Sequence, residues 1–243
     1  MDIEGKVALV TGAAKRVGRS VALALAERGA ELAVHYYASE RDAHEVLALA
    51  KKLGGKPVAV RADLASSAQI AAMVDAVMRA FGRVDVLVNN AAIFYRTPFP
   101  TLTEADWNRF LAINLTAPFL LSRQVGEIMC RQGHGKILNV ADIAGNKVWA
   151  DFIPYSVSKA GLLALTTGLA KALAPAVQVN AIAPGVVLLP EDSTPEERAR
   201  AVQRVPVRRL GAPEDIVRAA LYLIESDFVT GDVLTVDGGQ RLL

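Results

Sequence analysis

Short apolar runs alternate with longer stretches of helical periodicity along the whole chain. Apolar runs of about four to eight residues are typical of buried strands, whereas apolar positions spaced three and four residues apart are typical of amphipathic helices. The pattern predicts strands at 7–10, 31–36, 57–60, 84–88, 136–140, 177–181 and 233–236. It predicts helices at 18–30, 40–53, 68–81, 104–131, 155–173 and 214–224.

Strands and helices that alternate in this way predict the α/β class, with a central parallel sheet covered by helices on both faces. We therefore expect a single doubly wound Rossmann domain over 1–243, with about seven strands. The stretch 188–206 breaks the rhythm, because it contains Pro190, Glu191, Asp192 and Pro195. Since irregular segments at the carboxyl edge of such a sheet often cover the substrate, a short substrate lid is expected at about 186–206.

The composition narrows the classes of function. Hydrophobic residues make up 52% of the chain and charged residues 21%, which is enough apolar surface for a packed core and excludes a disordered protein. The formal net charge is +2 and the basic residues are scattered, so no nucleic-acid partner is expected. No apolar stretch is long enough to span a bilayer and the first residues are charged, so we expect no membrane association and a cytoplasmic location.

One cysteine and three histidines leave little scope for disulfide or metal chemistry. Cys130 is the only cysteine, so no intramolecular disulfide is expected, and a small apolar residue of this kind is expected in the core. His35, His44 and His134 are scattered between segments, and no metal site is expected.

The first predicted strand leads directly into a glycine-containing turn at 11–19 and then into a helix. Such a turn presents backbone N–H groups and the positive end of the helix dipole to an anion, as in dinucleotide-binding βαβ units. Enzymes that prefer NAD place an acidic residue near the end of the second strand, and none lies between positions 31 and 39. Lys15 and Arg16 can instead pair with a 2′-phosphate, which favours NADPH; the alternative is that both are solvated on a surface turn.

Several short motifs follow one another in a fixed order. They are the turn just described, Ala62-Asp63-Leu64, Asn89-Asn90-Ala91, Asn114, Tyr155-Ser-Val-Ser-Lys159, Asn180 to Gly185, Thr230-Gly231 and Val236 to Gly239. In this order and spacing the sequence resembles the short-chain dehydrogenase/reductase family over essentially its whole length. The resemblance implies a nicotinamide dinucleotide held by Gly12, Lys15, Arg16, Val17, Gly18, His35, Tyr36, Ser39, Asp63, Leu64, Asn90, Ala91, Tyr155, Lys159, Pro184 and Gly185.

Two departures from the family pattern are informative. Arg16 stands where the wider family usually has glycine, and Asp142 stands where a catalytic serine usually precedes the tyrosine. Both departures, with the pair 35–36 and the run 89–98, resemble the pteridine reductase branch, in which the equivalent of Phe94 stacks on the pterin. The chain end is similar to bacterial dihydromonapterin reductases. Positions that depart from the branch are Ala38, Ala92 and Val187.

Tyr155 and Lys159 are four residues apart and share one face of a helix. An ammonium beside a phenol favours the phenolate, so we expect Lys159 to lower the pKa of Tyr155 and make it a general acid or base near neutral pH. For the spacing alone, a surface pair on an amphipathic helix is the alternative. The resemblance adds that Lys159 holds the nicotinamide ribose and that Asn114 anchors a water that relays protons to Lys159.

The residue type at position 142 distinguishes two types of reduction, that of a carbonyl and that of an imine. A serine here donates a hydrogen bond to a carbonyl oxygen, whereas an ionised carboxylate repels a developing alkoxide. Reduction of an imine leaves a basic nitrogen that must receive a proton, and a carboxyl group beside Tyr155 can share that task. The alternatives are that Asp142 caps a helix or turn in an enzyme with another substrate, that Phe94 only packs after its strand, and that Arg16 contacts phosphate alone.

We therefore expect NADPH-dependent reduction of a ring C=N bond in a pterin-like small molecule. The residues assigned to substrate or catalysis are Arg16, Phe94, Asn114, Asp142, Tyr155 and Lys159. An NADPH-dependent carbonyl reductase, for example of 3-oxoacyl thioesters, is the alternative, and a non-catalytic NADPH-binding scaffold is the third. From the family we expect a homotetramer built through the helices at 104–131 and 155–173, with Arg241 reaching a neighbouring subunit's pocket as in some pteridine reductases.

Overall fold

The computed structural model describes residues 1–189 and 193–243, so Pro190, Glu191 and Asp192 of the expected lid lie outside the described part. The strands are β1 Val7–Val10, β2 Glu31–Tyr36, β3 Val58–Arg61, β4 Val86–Asn89, β5 Gly135–Val140, β6 Val177–Pro184 and β7 Val233–Val236. All pairings between them are parallel, and the order is β3-β2-β1-β4-β5-β6-β7. The strand order reverses beside β1, which is the doubly wound topology, so the predicted fold class and strand number are confirmed.

Helices cover both faces of the sheet. In the described residues the α-helices are α1 Arg16–Glu27, α2 Glu40–Lys52, α3 Ser67–Phe81, α4 Glu104–Leu111, α5 Ala117–Gln132, α6 Ile153–Leu173, α7 Pro195–Gln203 and α8 Pro213–Glu225. Helices α1, α2 and α8 pack with Ala8 and Val10 on one face, and α3, α5 and α6 pack with Val7 and Leu9 on the other. Because alternate side chains of each strand enter the two layers, β1 is buried along its whole length.

The predicted element types agree with the structure, but several boundaries differ. Strand β4 begins two residues later than expected, and β6 continues three residues further, to Pro184. The expected helix at 104–131 is divided, because a π-helical turn at Ala112–Thr116 separates α4 from α5. A π-turn rotates the side chains that follow it, and such turns are frequent at functional sites.

Cys130 was expected in the core and lies outside it, and the apolar Trp107 is not fully buried either. Cys130 is exposed on α5, where the neighbouring Met129 points into the core instead. Trp107 on α4 is only half-buried, and Phe110, almost one turn later, is fully buried. Both differences depend on how the helix is rotated about its axis. The pattern of apolar residues defines that rotation only to within one residue. Across 1–189 and 193–243, no helix has the length and apolar character needed to cross a bilayer.

Candidate active site

Two adjoining cavities lie at the carboxyl edge of the sheet, where β1 separates the two halves. The first, of about 690 Å³, is bordered by the loops that follow β1 to β4 and by α4. The second, of about 580 Å³, is bordered by the β1 turn, α6 and the loops after β4, β5 and β6. Every residue predicted to contact cofactor or substrate lines one or both cavities, and of the predicted catalytic residues Asn114 alone does not.

The turn after β1 has the close packing that a phosphate-binding turn requires. Gly12 adopts φ +62°, a conformation that favours glycine. A Cβ atom on Gly18 would lie 2.3 Å from the Gly12 carbonyl oxygen and 2.4 Å from Nδ2 of Asn90, so only glycine fits there. Arg16 adopts φ 53° without being glycine, and its guanidinium donates a 2.9 Å hydrogen bond to the carbonyl oxygen of Leu188. Arg16 therefore links the turn to the segment expected to form the lid.

The loop after β4 holds this turn from the other side. Asn90 Nδ2 donates to the carbonyl oxygens of Thr11 at 2.8 Å and of Gly12 at 3.2 Å. The Thr11 hydroxyl oxygen accepts from the N–H groups of Asn90 and Ala91 at 2.9 and 3.0 Å. The β1 and β4 loops thus form one rigid unit between the two cavities.

His35 lines the first cavity, but its ring nitrogens face the backbone. Nδ1 accepts a hydrogen bond of 3.0 Å from the Gly12 N–H, and Nε2 lies 3.1 Å from the carbonyl oxygen of Ala62. The side chain is buried, with only 2% of the residue exposed. His35 therefore supports the cavity wall and offers no free ring nitrogen to a cofactor.

The part of the first cavity that would surround a 2′-phosphate is lined by a cation that is paired with an acid outside the lining. Lys15 and Ser39 line this cavity, and Lys15 Nζ forms an ion pair of 3.1 Å with Asp42. Asp42 lies in the first turn of α2, just beyond the stretch in which the sequence contained no acidic residue. Tyr37, which the sequence analysis did not single out, is exposed and also lines this region.

Asp142 and Tyr155 are joined by a hydrogen bond in the wall of the second cavity. The Tyr155 hydroxyl donates to Asp142 Oδ2 at 2.8 Å, while Asp142 Oδ1 accepts from the Ala144 N–H at 2.8 Å. Asp142 thereby caps the short 3-10 turn Ile143–Gly145, which was the alternative considered for it. One carboxyl oxygen thus caps the turn and the other accepts from the phenol, and the proton-sharing role expected for Asp142 stays a prediction.

The charges of this group favour a protonated phenol. Burial and the neighbouring carboxyl of Asp142 raise the pKa of Tyr155 well above its ordinary value. Lys159 was expected to lower that pKa, but burial and Asp142 raise it instead; Lys159 Nζ lies 5.8 Å from the centroid of the Tyr155 ring and donates to the carbonyl oxygen of Val140 at 2.7 Å. Burial lowers the pKa of Lys159 itself to about 8, against the attraction of Asp142. Burial also raises the pKa of Asp142, although the Ala144 N–H opposes this.

Asn114 lies within the π-helical turn and is almost completely buried. Its amide nitrogen donates to the Ile93 carbonyl oxygen at 3.1 Å and to the Ser158 hydroxyl at 3.2 Å, and its side-chain oxygen accepts from the Ile93 N–H at 2.9 Å. The side chain thus connects the α4–α5 junction to the β4 loop and to α6. Its expected role as a water anchor stays a prediction.

Aromatic side chains form one wall of the second cavity. Phe94 is 57% exposed and stacks on Phe152, with 4.7 Å between ring centroids and 3° between planes. Its ring also meets Tyr155 edge to face at 4.8 Å. An ion pair between Arg96 and Asp151 joins the two loops that carry these rings. Phe94 is therefore a partly exposed ring held against the rings of Phe152 and Tyr155.

Comparison with known proteins agrees with this geometry. A family model described as enoyl-(acyl carrier protein) reductase matches residues 12–241. An uncharacterized oxidoreductase of Thermotoga maritima is 37% identical, over 99% of both chains. The chain belongs to the short-chain dehydrogenase/reductase family. A 3-oxoacyl-[acyl-carrier-protein] reductase of Synechocystis is 35% identical over 98% of both chains. A crystal structure described as a short-chain alcohol dehydrogenase from Sinorhizobium meliloti superposes with a TM-score of 0.93, at 33% identity and with 99% and 98% of the two chains covered.

As a member of this family, the protein is an oxidoreductase that uses a nicotinamide cofactor. None of the relatives described above is named as a pteridine reductase. The comparisons therefore establish the family and do not establish the pteridine reductase branch. This short-chain dehydrogenase/reductase has further lining residues that sequence reasoning missed, and those of the first cavity include Ala14, Tyr37, Ala65, Ile93, Arg109 and Ile113. They lie within four positions of the end of a strand or near the π-turn, so the predicted strand ends were the signal that could have found most of them.

Proposed function

We propose that this short-chain dehydrogenase/reductase uses NADPH to reduce a ring C=N bond in a flat, pterin-like heterocycle. The observation that carries the proposal is the 2.8 Å hydrogen bond from the Tyr155 hydroxyl to the Asp142 carboxyl. A carboxyl group in this position suits a reaction that ends with protonation of nitrogen, and it disfavours one that builds negative charge on oxygen.

The turn between the two cavities suits a dinucleotide, because its close packing leaves no room for a side chain at Gly18. The N–H groups at the start of α1, from Arg16 to Gly18, have no partner within the helix and would bind the diphosphate. Lys15, although it is paired with Asp42, supplies an exposed cation at the edge of the first cavity, and this supports NADPH over NADH. NADPH, when bound, supplies the hydride that adds to the carbon of the C=N bond.

The protein's own residues supply the proton. Because burial and Asp142 raise the pKa of Tyr155, the phenol retains its proton at neutral pH and can donate it to the ring nitrogen. Burial raises the pKa of Asp142, so its carboxyl takes up a proton more readily than an exposed one and can return it to Tyr155. The balance is one hydride to carbon and one proton to nitrogen.

Recognition of a flat ring falls to Phe94. Its exposed face lies beside Tyr155, and offset stacking of aromatic rings is worth about 1 kcal/mol beyond the burial of area. Phe152 holds the Phe94 ring from behind. The guanidinium of Arg16, which lines the same cavity, is available to both a phosphate and a substrate.

A second candidate is the reduction of a 3-oxoacyl thioester. It is favoured by the printed name of the Synechocystis relative, and Tyr155 and Lys159 are equally suited to a ketone substrate. The replacement of serine by Asp142 weighs against it, since an ionised carboxylate repels a developing alkoxide.

The decisive experiment measures NADPH oxidation with dihydropterins, with folates and with acetoacetyl thioesters. We expect turnover with a dihydropterin and little with the thioester, and the reverse would support the second candidate. Asp142→Ser provides the matched variant: we expect it to lower dihydropterin turnover by about 10²-fold, within the range for general acid catalysis. If the variant retains pterin activity, the role given to the carboxyl group is wrong. Tight NADPH binding without turnover of any substrate would indicate a scaffold.

We also propose a homotetramer, supported by the exposed apolar side chains of Phe119 on α5 and Val157 on α6. Sedimentation analysis tests this, and a monomer at micromolar concentration would contradict it. Within the chain, the Arg241 guanidinium lies 3.2 Å from Asp237, so it would have to leave that carboxylate to reach a neighbouring pocket. An unchanged substrate Michaelis constant after removal of 240–243 would contradict that role.

A further inference from the structure

His35 at the end of β2 is bound to the backbone of two other segments. Its ring Nδ1 accepts from the Gly12 N–H at 3.0 Å, and its main-chain carbonyl oxygen accepts from the Ala13 N–H, also at 3.0 Å. Ring Nε2 lies 3.1 Å from the carbonyl oxygen of Ala62, directly after β3. One buried residue therefore connects the β1 turn with the ends of β2 and β3.

These partners allow the imidazole only one protonation state. The backbone N–H of Gly12 can only donate, so Nδ1 must lack a proton. The carbonyl oxygen of Ala62 can only accept, so Nε2 must carry the proton. A doubly protonated ring would bring two N–H groups together at Gly12. Burial lowers the pKa of His35, which acts in the same direction as this geometry.

We infer that His35 is a positioning residue that fixes the β1 turn, so that the amides at the start of α1 are the ones presented to the cofactor diphosphate. The N–H groups of Gly12 and Ala13 are already paired with His35 and are not free to bind phosphate. The N–H groups of Arg16–Gly18 begin the helix and are free of intrahelical partners. The inference rests on dinucleotide binding by the family and is independent of the substrate proposed above.

The imidazole matters for affinity because it holds the N–H side of the Gly12 peptide, whereas Asn90 holds only the carbonyl side. Gly12 has a positive φ, and glycine is the residue with the widest choice of alternatives. Without an acceptor the partly buried Gly12 N–H would lose its partner, and the peptide would rotate to find another one although Asn90 still holds the Gly12 carbonyl oxygen. Cofactor binding would then have to restore the turn, which weakens binding.

Two substitutions separate the two ring contacts. In His35→Asn, the side-chain oxygen replaces Nδ1 and can still accept from Gly12, whereas the contact with Ala62 is lost. In His35→Gln, the terminal amide reaches the position of Nε2 and Gly12 loses its acceptor. The matched control is His44→Gln, because His44 is an exposed histidine on α2 that lines neither cavity.

The measurements are the Kd of NADPH by calorimetric titration and the melting temperature without ligand. We expect His35→Gln to raise the Kd about tenfold or more, His35→Asn to stay within about threefold of the unmodified protein, and His44→Gln to match it. Equal Kd values for the Asn and Gln variants would overturn the inference, whatever their melting temperatures. Nitrogen NMR of the unmodified protein should show Nδ1 without a proton, and a protonated Nδ1 would overturn it without any variant.

Discussion

The substitution Asp142→Asn tests the proton-transfer group with almost no change in shape. Asp142 accepts two hydrogen bonds, from the Ala144 N–H and from the Tyr155 hydroxyl, each at 2.8 Å. An asparagine has only one side-chain oxygen. Because the Ala144 N–H can only donate, it takes that oxygen, and the amide NH₂ turns towards Tyr155. The phenol then changes from a donor to an acceptor at this contact.

The expected magnitude follows from what is lost. A hydrogen bond to a charged group is worth about 1.5–3 kcal/mol, and general acid catalysis contributes about 10²–10⁴ in rate. Since Tyr155 remains, we expect kcat/KM for a dihydropterin to fall by about 10²-fold, the lower end of that range. Asn and Asp are equally good N-caps, so the melting temperature should change little.

The pH profile provides a second and independent readout. Asp142 raises the pKa of Tyr155 and also that of Lys159. Loss of its charge therefore moves the alkaline limb of kcat/KM to lower pH, whichever of the two groups produces that limb. NADPH absorbance measured across the neutral and alkaline range, with Tyr155→Phe as the inactive control, follows both effects. An unchanged alkaline limb together with near-normal kcat/KM would refute the assignment of Asp142.

Three further outcomes are expected. Gly18→Ala should abolish measurable NADPH binding, because its Cβ would lie 2.3 Å from the Gly12 carbonyl oxygen; a titration with near-normal affinity would contradict the geometry of the turn. The Lys159 ammonium, with a pKa of about 8, loses its proton as pH rises, so kcat/KM of the unmodified enzyme should decline above about pH 8. Phe110→Ala should lower the free energy of unfolding by about 3–5 kcal/mol in urea, and a loss below about 1 kcal/mol would show that the site collapses around the cavity.

Element types and most cavity-lining residues could be predicted because they depend on local order. The residues Gly12, Asn90 and Gly185 each follow a strand within two positions, and the carboxyl ends of parallel strands meet at one edge of a sheet. The sequence also showed that an aspartate stands where the family usually has its catalytic serine, because that position lies at a fixed distance along the chain from Tyr155. Local order and one family resemblance were thus enough for the fold and the location of the site.

The features that could not be predicted depend on side-chain direction in three dimensions. The pairing of Lys15 with Asp42 requires the β1 turn to approach α2. Lys159 Nζ donates to the Val140 carbonyl oxygen while it lies 5.8 Å from the centroid of the Tyr155 ring, and the sequence shows neither contact. Cys130 is exposed because α5 is rotated so that Met129 fills the core. Asp142 contacts both a turn and a phenol, and nothing in the local order of the sequence shows that one carboxyl group reaches both.

The cap formed by Asp142 has a consequence for how substrate range changes in this fold. Serine and aspartate are both favoured at the start of a helical turn, so either can hold the Ile143–Gly145 turn closed. One residue exchange at this place would thus alter the chemistry offered to a substrate while the backbone around it keeps its shape. Enzymes that reduce C=O bonds and enzymes that reduce C=N bonds could then diverge from one another without passing through a poorly folded intermediate.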